Sequence, residues 1–271
     1  MLPFIVLIMY FGGGVWLLAS AVRPGSSPAY AHGKHIAGLA LASLGWLTHG
    51  YALCEAVFRG PALALNTTDA ASIIGWTIAA IAIVGATWRP RFAFLSGILL
   101  LVVGVAAAIT NDGSRDFALG QRGWELTAHI LIAVVAYALV SVGAALAVAL
   151  TVLDWRLRHH QPLGVMRTLP SVEALEAGMF QAIAAGFALL SLTLFSGFVF
   201  VQDLWGQHLE HKVILSCLAW LILAVLLIGR WRFGWRGRVA ANWTLSGFVL
   251  LGLAYFGSKI VLEVILGRHW G

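Results

Sequence analysis

Two of the chain's nine histidines, His49 and His129, stand inside long apolar runs. A polar side chain in such a run is costly, and it is tolerated where it faces a cavity or a partner helix. His129 lies in "WELTAHILIAVVAYALV", with Trp124 five residues before it and Tyr137 about two helical turns after it. A neutral imidazole there can ligate haem iron, with aromatic rings packed on the porphyrin. It can also be a histidine bonded to a carbonyl of a neighbouring helix. His49, in "GWLTHGYALCE", sits at a similar depth, and two such histidines on different helices can form a bis-imidazole pair. Nothing in the spacing demands one.

Other candidates are polar by context. "DLWGQHLEHK" (203–212) holds His208 and His211 three residues apart, a spacing that suits two metal ligands on one helical turn. No third ligand is near, and with Glu210 and Lys212 adjacent a solvated loop is the better reading of the segment. Lys259 and Glu263, at i and i+4 in "AYFGSKIVLEVIL", can pair, although lysine before glutamate is the weaker order. Charge inside a span points to a transport or binding role; the alternative is a structural pair that reaches outward. Cys54 and Cys217 are the only cysteines and form no CxxC, which removes thiol-redox chemistry; a disulfide between them stays open. No Walker loop, HExxH, GxSxG or dinucleotide fingerprint is present.

The elements that must position these residues are membrane helices. The chain has 271 residues, 61% hydrophobic and 10% charged, against about 25% charged in soluble domains. Apolar runs long enough to span a bilayer recur along the whole chain. They predict eight spans at roughly 2–22, 35–54, 70–88, 92–110, 125–150, 178–201, 212–229 and 241–266. Backbone in lipid must satisfy its own hydrogen bonds, so each span is a helix. The expected fold is all-α: one polytopic membrane domain, residues 1–271, with N-terminal spans over 1–110 and a core over 125–266. The first apolar run lacks a basic start and reads as a retained span rather than a signal peptide. In the long link 151–177, Pro170 and Ser171 suit a helix start, with Glu173 and Glu176 in its first turns, and predict a short interfacial helix feeding span six.

Charge fixes the orientation. The links after spans one, three, five and seven hold eleven of the seventeen Lys and Arg, among them Arg89, Arg91, Arg156, Arg158, Arg167, Arg230, Arg232, Arg236 and Arg238. The other links hold most of the acids. The positive-inside rule puts the basic links in the cytoplasm and both termini outside. The net charge of +6 is thus a topology signal and an anionic-lipid contact, not a nucleic-acid surface. Trp76, Trp88, Trp124, Trp155, Trp205, Trp231, Trp235 and Trp270 fall near predicted interfaces and read as aromatic-belt anchors.

Several stretches resemble one family. "AHILIAVVAYALVSVGAALAVAL" is similar to the span that opens the core of the cytochrome c assembly family, the CcsA/CcmC group. "LPSVEALEAGMFQAIAAGFALLSLTLFSGFVF", "LNTTDAASIIGW" and the stretch from "HKVILSCLAW" to "KIVLEVIL" resemble its CcsA-like branch, which includes YpjD-like proteins of the bacterial inner membrane. The resemblance implies a multi-pass fold that holds haem at the outer face, between two histidines and a tryptophan-rich loop, for cytochrome c maturation. It places His129, followed by Tyr137, at the first histidine. The family's loop pattern, W-G-x-x-W-x-W-D-P-K, is kept here at Trp205, Gly206 and Lys212. His269, in "GRHW", stands nearest to the second histidine, which the family carries in a Gly-x-His-Ser-Tyr context. The expected site is therefore His129 and His49 toward haem iron, with Trp205, Trp124, Tyr137 and His269 around the cofactor. The expected role is haem handling rather than catalysis by the protein's own side chains. The rival expectation is a non-haem accessory protein, a partner of an ion transporter, in which Lys259 and Glu263 carry the function.

Overall fold

The computed structural model describes residues 2–22, 28–58, 67–109, 124–200 and 210–259. Leucine, alanine and β-branched residues, with few breakers inside the runs, give eight α-helices: α1 Leu2–Val22, α2 Pro28–Phe58, α3 Thr67–Trp88, α4 Ala93–Ile109, α5 Trp124–Arg158, α6 Val172–Phe200, α7 Glu210–Phe233 and α8 Gly237–Lys259. Short 3₁₀ turns occupy Pro90–Phe92 and Gly164–Thr168. No strand occurs among the described residues. Seven helices, α1 to α7, are long and apolar enough to cross a membrane. The eighth predicted span, 241–266, begins in α8 and continues past the described residues.

The lipid-facing character shows in the side chains. Phe4, Ile8, Phe195, Phe198 and Ile214 lie on open helix faces, where a helix in water would carry polar residues. Hydroxyls inside the runs bond back to their own helix: Thr77 to the Ile73 carbonyl, Ser141 to Tyr137 and Thr151 to Ala147. That satisfies a polar group where no water can.

The chain forms two compact units. The first comprises residues 1–121 with 163–170; the second comprises 122–162 with 171–271. In the first, α1 packs on α2 and α4, and α3 on α4 and α2. Its core is Val6, Tyr10, Leu17, Ala42, Ala79, Ala82, Leu100 and Val103. Small residues let these helices close up. A Cβ on Gly14 would stand 2.8 Å from the Gly97 carbonyl oxygen, and one on Gly97 would stand 2.8 Å from that of Gly14. Membrane helices associate through such close backbone approaches because lipid offers no hydrophobic drive.

In the second unit α5 packs most extensively on α6, then on α8, which also packs on α7. Leu150, Leu175, Met179, Ile183, Leu190, Leu223, Leu226 and Leu251 form its interior. α2, α5 and α7 overrun their predicted spans at both ends, whereas α1 coincides with its own. α5 has 35 residues, about 50 Å at 1.5 Å per residue, against a hydrocarbon core of about 30 Å. Periodic apolarity marks only the part inside lipid, and the helix continues through its Asp154 to Arg158 ion pair, at 2.8 Å. The helix start at Ser171 is as expected: Ala174 N–H donates to Ser171 Oγ at 3.3 Å. It opens α6 itself, however, and what precedes it is the 3₁₀ turn Gly164–Thr168 rather than a separate interfacial helix. Cys54 and Cys217 are both free thiols.

Candidate functional site

His129 sits near the start of α5 and faces α6. Its Nδ1 lies 2.8 Å from Ser196 Oγ. The next residue of α6 makes room for the ring: a Cβ on Gly197 would stand 3.3 Å from His129 Cε1, tighter than a ring normally accepts. The imidazole is half-buried, and its Nε2 has no hydrogen-bond partner among the described residues. The ring is thus tethered at one nitrogen and open at the other.

Tyr137 lies deeper on α5. Its ring meets Tyr255 of α8 edge-on, with centroids 5.6 Å apart. Tyr137 therefore ties α5 to α8. It supports the helix that carries His129.

His49 is held differently. It belongs to the first unit and is 4% exposed. Its Nδ1 lies 3.3 Å from the Tyr10 hydroxyl of α1, and its Nε2 lies 2.8 Å from Ser72 Oγ of α3. Both ring nitrogens are taken, so ligation of iron by His49 requires one of these bonds to break. This is the satisfied bundle histidine that the sequence left open as an alternative. One turn away, Trp46 and Trp76 stack with centroids 4.6 Å apart, and Trp76 Nε1 donates to the Trp46 carbonyl at 2.9 Å. Trp76 is thus an inter-helix stack rather than a belt anchor. Trp235 likewise packs on Trp243, at 5.4 Å, whereas Trp88 and Trp231 stay open to their surroundings.

The remaining candidates fall elsewhere. Trp205, His208, Glu263, His269 and Trp270 lie outside the described residues, as do the side chains of Trp124, His211 and Lys259, although α5 begins at Trp124 and α8 ends at Lys259. No group of three or more His, Cys, Asp or Glu that could hold a bare metal ion occurs among the described residues. His159 is stacked on Trp155 and bonded to its carbonyl at 2.8 Å.

Two residues that matter here went unnoticed in the sequence. Ser196 looks like any small residue of an apolar helix; only its pairing with Gly197, "SG" in "LFSGFVF", hints at a close approach. Glu176 read as a helix-start acid. In the structure it is buried and gathers the basic turn after α7: Arg230 donates to its Oε1 at 2.9 Å, Gly237 N–H to its Oε2 at 3.1 Å, and Arg236 Nε stands 3.6 Å away. Arg230 also lies over the Phe180 ring at 4.7 Å.

Fold and site together define a multi-pass helical membrane protein with one histidine tethered at a helix pair and one ring nitrogen left open. Residues 38–266 match the family model described as Cytochrome C assembly protein, and the chain belongs to that family. It is 33% identical over 175 residues to inner membrane protein YpjD of Escherichia coli (strain K12); the match covers 62% of this chain and 66% of YpjD, just under two-thirds of its length. Cytochrome c biogenesis protein CcsA of Synechococcus sp. (strain CC9311) is 29% identical over 169 residues, 52% of this chain and 55% of that one. CcsA of Chlamydomonas reinhardtii is 26% identical over 145 residues, covering 53% and 40%. No solved structure matches. Seven spanning helices and these relatives make the chain a multi-pass protein of the bacterial inner membrane.

Proposed function

We propose that this protein binds haem through His129 near the outer face of the membrane and handles it in cytochrome c maturation. The observation that carries this reading is the His129 ring, held by Ser196 at Nδ1 and without a protein partner at Nε2 among the described residues. Haem suits such a site. The porphyrin supplies four nitrogens to its iron, so the protein need supply only an axial ligand, and the described residues hold no ligand cluster for a bare ion. The positive-inside rule puts the Trp124 end of α5 outside. Family membership and the CcsA relatives, named for cytochrome c biogenesis, support the same role.

The residues then act by binding and orienting. His129 would hold the iron, and Gly197 leaves room for its ring. Tyr137 holds α5 against α8. Trp124, near His129 in sequence, and Trp205 and His269, from the family resemblance, would lie around the cofactor. When bound, haem supplies the groups that become joined to cytochrome cysteines, so the protein's task is delivery in a fixed pose. Components of the maturation machinery are the partners this role requires.

Purification in detergent from haem-sufficient cells tests the reading. A Soret band in the wild-type protein that is absent from His129→Ala is the expected result. The absence of a band from an intact wild-type protein at every haem supply overturns it.

A further inference from the structure

The hydrogen bonds around Ser196 determine which nitrogen of His129 carries the proton. Ser196 Oγ contacts two groups: the Thr193 carbonyl at 3.0 Å and His129 Nδ1 at 2.8 Å. A hydroxyl has one proton to donate. The Thr193 carbonyl can only accept, and Ser196 Oγ donates to it. Ser196 Oγ must then accept from the imidazole, which requires Nδ1 to carry its hydrogen. In a neutral ring the lone pair is then on Nε2, the nitrogen that has no partner among the described residues.

We propose that Ser196 is a positioning residue that locks His129 as the Nδ1–H tautomer, so that Nε2 is offered as a ligand. What Nε2 binds rests on the haem reading; the tautomer rests on these bonds alone. The second bond also aims the ring. Oγ is fixed on α6 by its own back-bond, and Gly197 limits where the imidazole lies. Metal-binding histidines are commonly oriented in this way through the nitrogen that does not face the metal, and loss of the outer partner costs about 10- to 100-fold in affinity.

The test uses the full-length protein in nanodiscs with histidine labelled at both ring nitrogens. Two-bond ¹H–¹⁵N spectra report the tautomer directly, and the His129 signals are those missing from His129→Gln. Without haem, the wild type and Ser196→Thr, which keeps the hydroxyl, are expected to show a protonated Nδ1 and a bare Nε2. In Ser196→Ala the Nε2–H form is expected to become a major species. Haem affinity, read by Soret titration, is expected to fall about 10- to 100-fold in Ser196→Ala and to recover in Ser196→Thr. A wild-type His129 protonated at Nε2, or a Ser196→Ala spectrum identical to wild type, overturns the proposal even where haem binds. The expected tautomers in a wild-type protein that never binds haem leave the lock standing and remove the haem reading instead.

Discussion

At the scale of single residues, the two intramembrane histidines divide by how their nitrogens are used. His49 is bonded on both sides, by Tyr10 and Ser72, so its substitution is expected to weaken the first unit. Tyr10→Phe removes one buried bond and is expected to cost about 0.5–1.5 kcal/mol. His49→Ala leaves buried hydroxyls unpaired and is expected to cost about 1–3 kcal/mol. Both should show as lower thermal unfolding temperatures in detergent, with the Soret band retained. Gly197→Val should do the reverse: a branched side chain pushed against His129 Cε1 displaces the ring, so the Soret band weakens while the unfolding temperature changes little. The sequence displayed His129 and His49 alike, because depth in an apolar run is all that spacing conveys. What separates them is Ser72, Tyr10, Ser196 and Gly197, each contributed by another helix and none distinctive in composition.

At the scale of helices, close backbone approach and one buried ion pair set the packing. Gly97→Ala puts a methyl group 2.8 Å from the Gly14 carbonyl oxygen. Overpacking of this kind costs about 1–3 kcal/mol, so α1 and α4 should part and the unfolding temperature should fall. Glu176 ties α6 to the turn between α7 and α8 through Arg230 and the Gly237 N–H. Its substitution by alanine strands a half-buried guanidinium, and loss of a hydrogen bond to a charged group is expected to cost about 1.5–3 kcal/mol. Arg230→Ala in the same background should add little further, since the two substitutions remove one network; a thermal-melt double-mutant cycle checks this. Spans were legible because lipid demands long apolar runs. Helix ends were less so: α5 outlasts its apolar part by a segment whose ion pair and basic last turn keep it helical in water, where apolar periodicity carries no signal.

At the scale of the whole molecule, the arginine-rich links predict both termini outside and the His129 end of α5 on the outer side. Membrane-impermeant thiol labelling of single cysteines placed at Arg91 and at Asp112 checks the orientation: the second should react in intact cells and the first only after permeabilisation. The chain divides into two units, residues 1–121 with 163–170 and 122–162 with 171–271. What the sequence concealed is that residues 163–170 of the link between α5 and α6 belong to the first unit, since so short a segment carries no periodicity to show what it packs on. Imidazole rescue tests most directly the claim that His129 would ligate haem iron. The visible spectrum of His129→Gly protein is recorded with haem, without and then with added imidazole. The expected result is a Soret band absent from the variant and restored by imidazole to the wild-type position. A variant band equal to the wild type's without imidazole contradicts the claim.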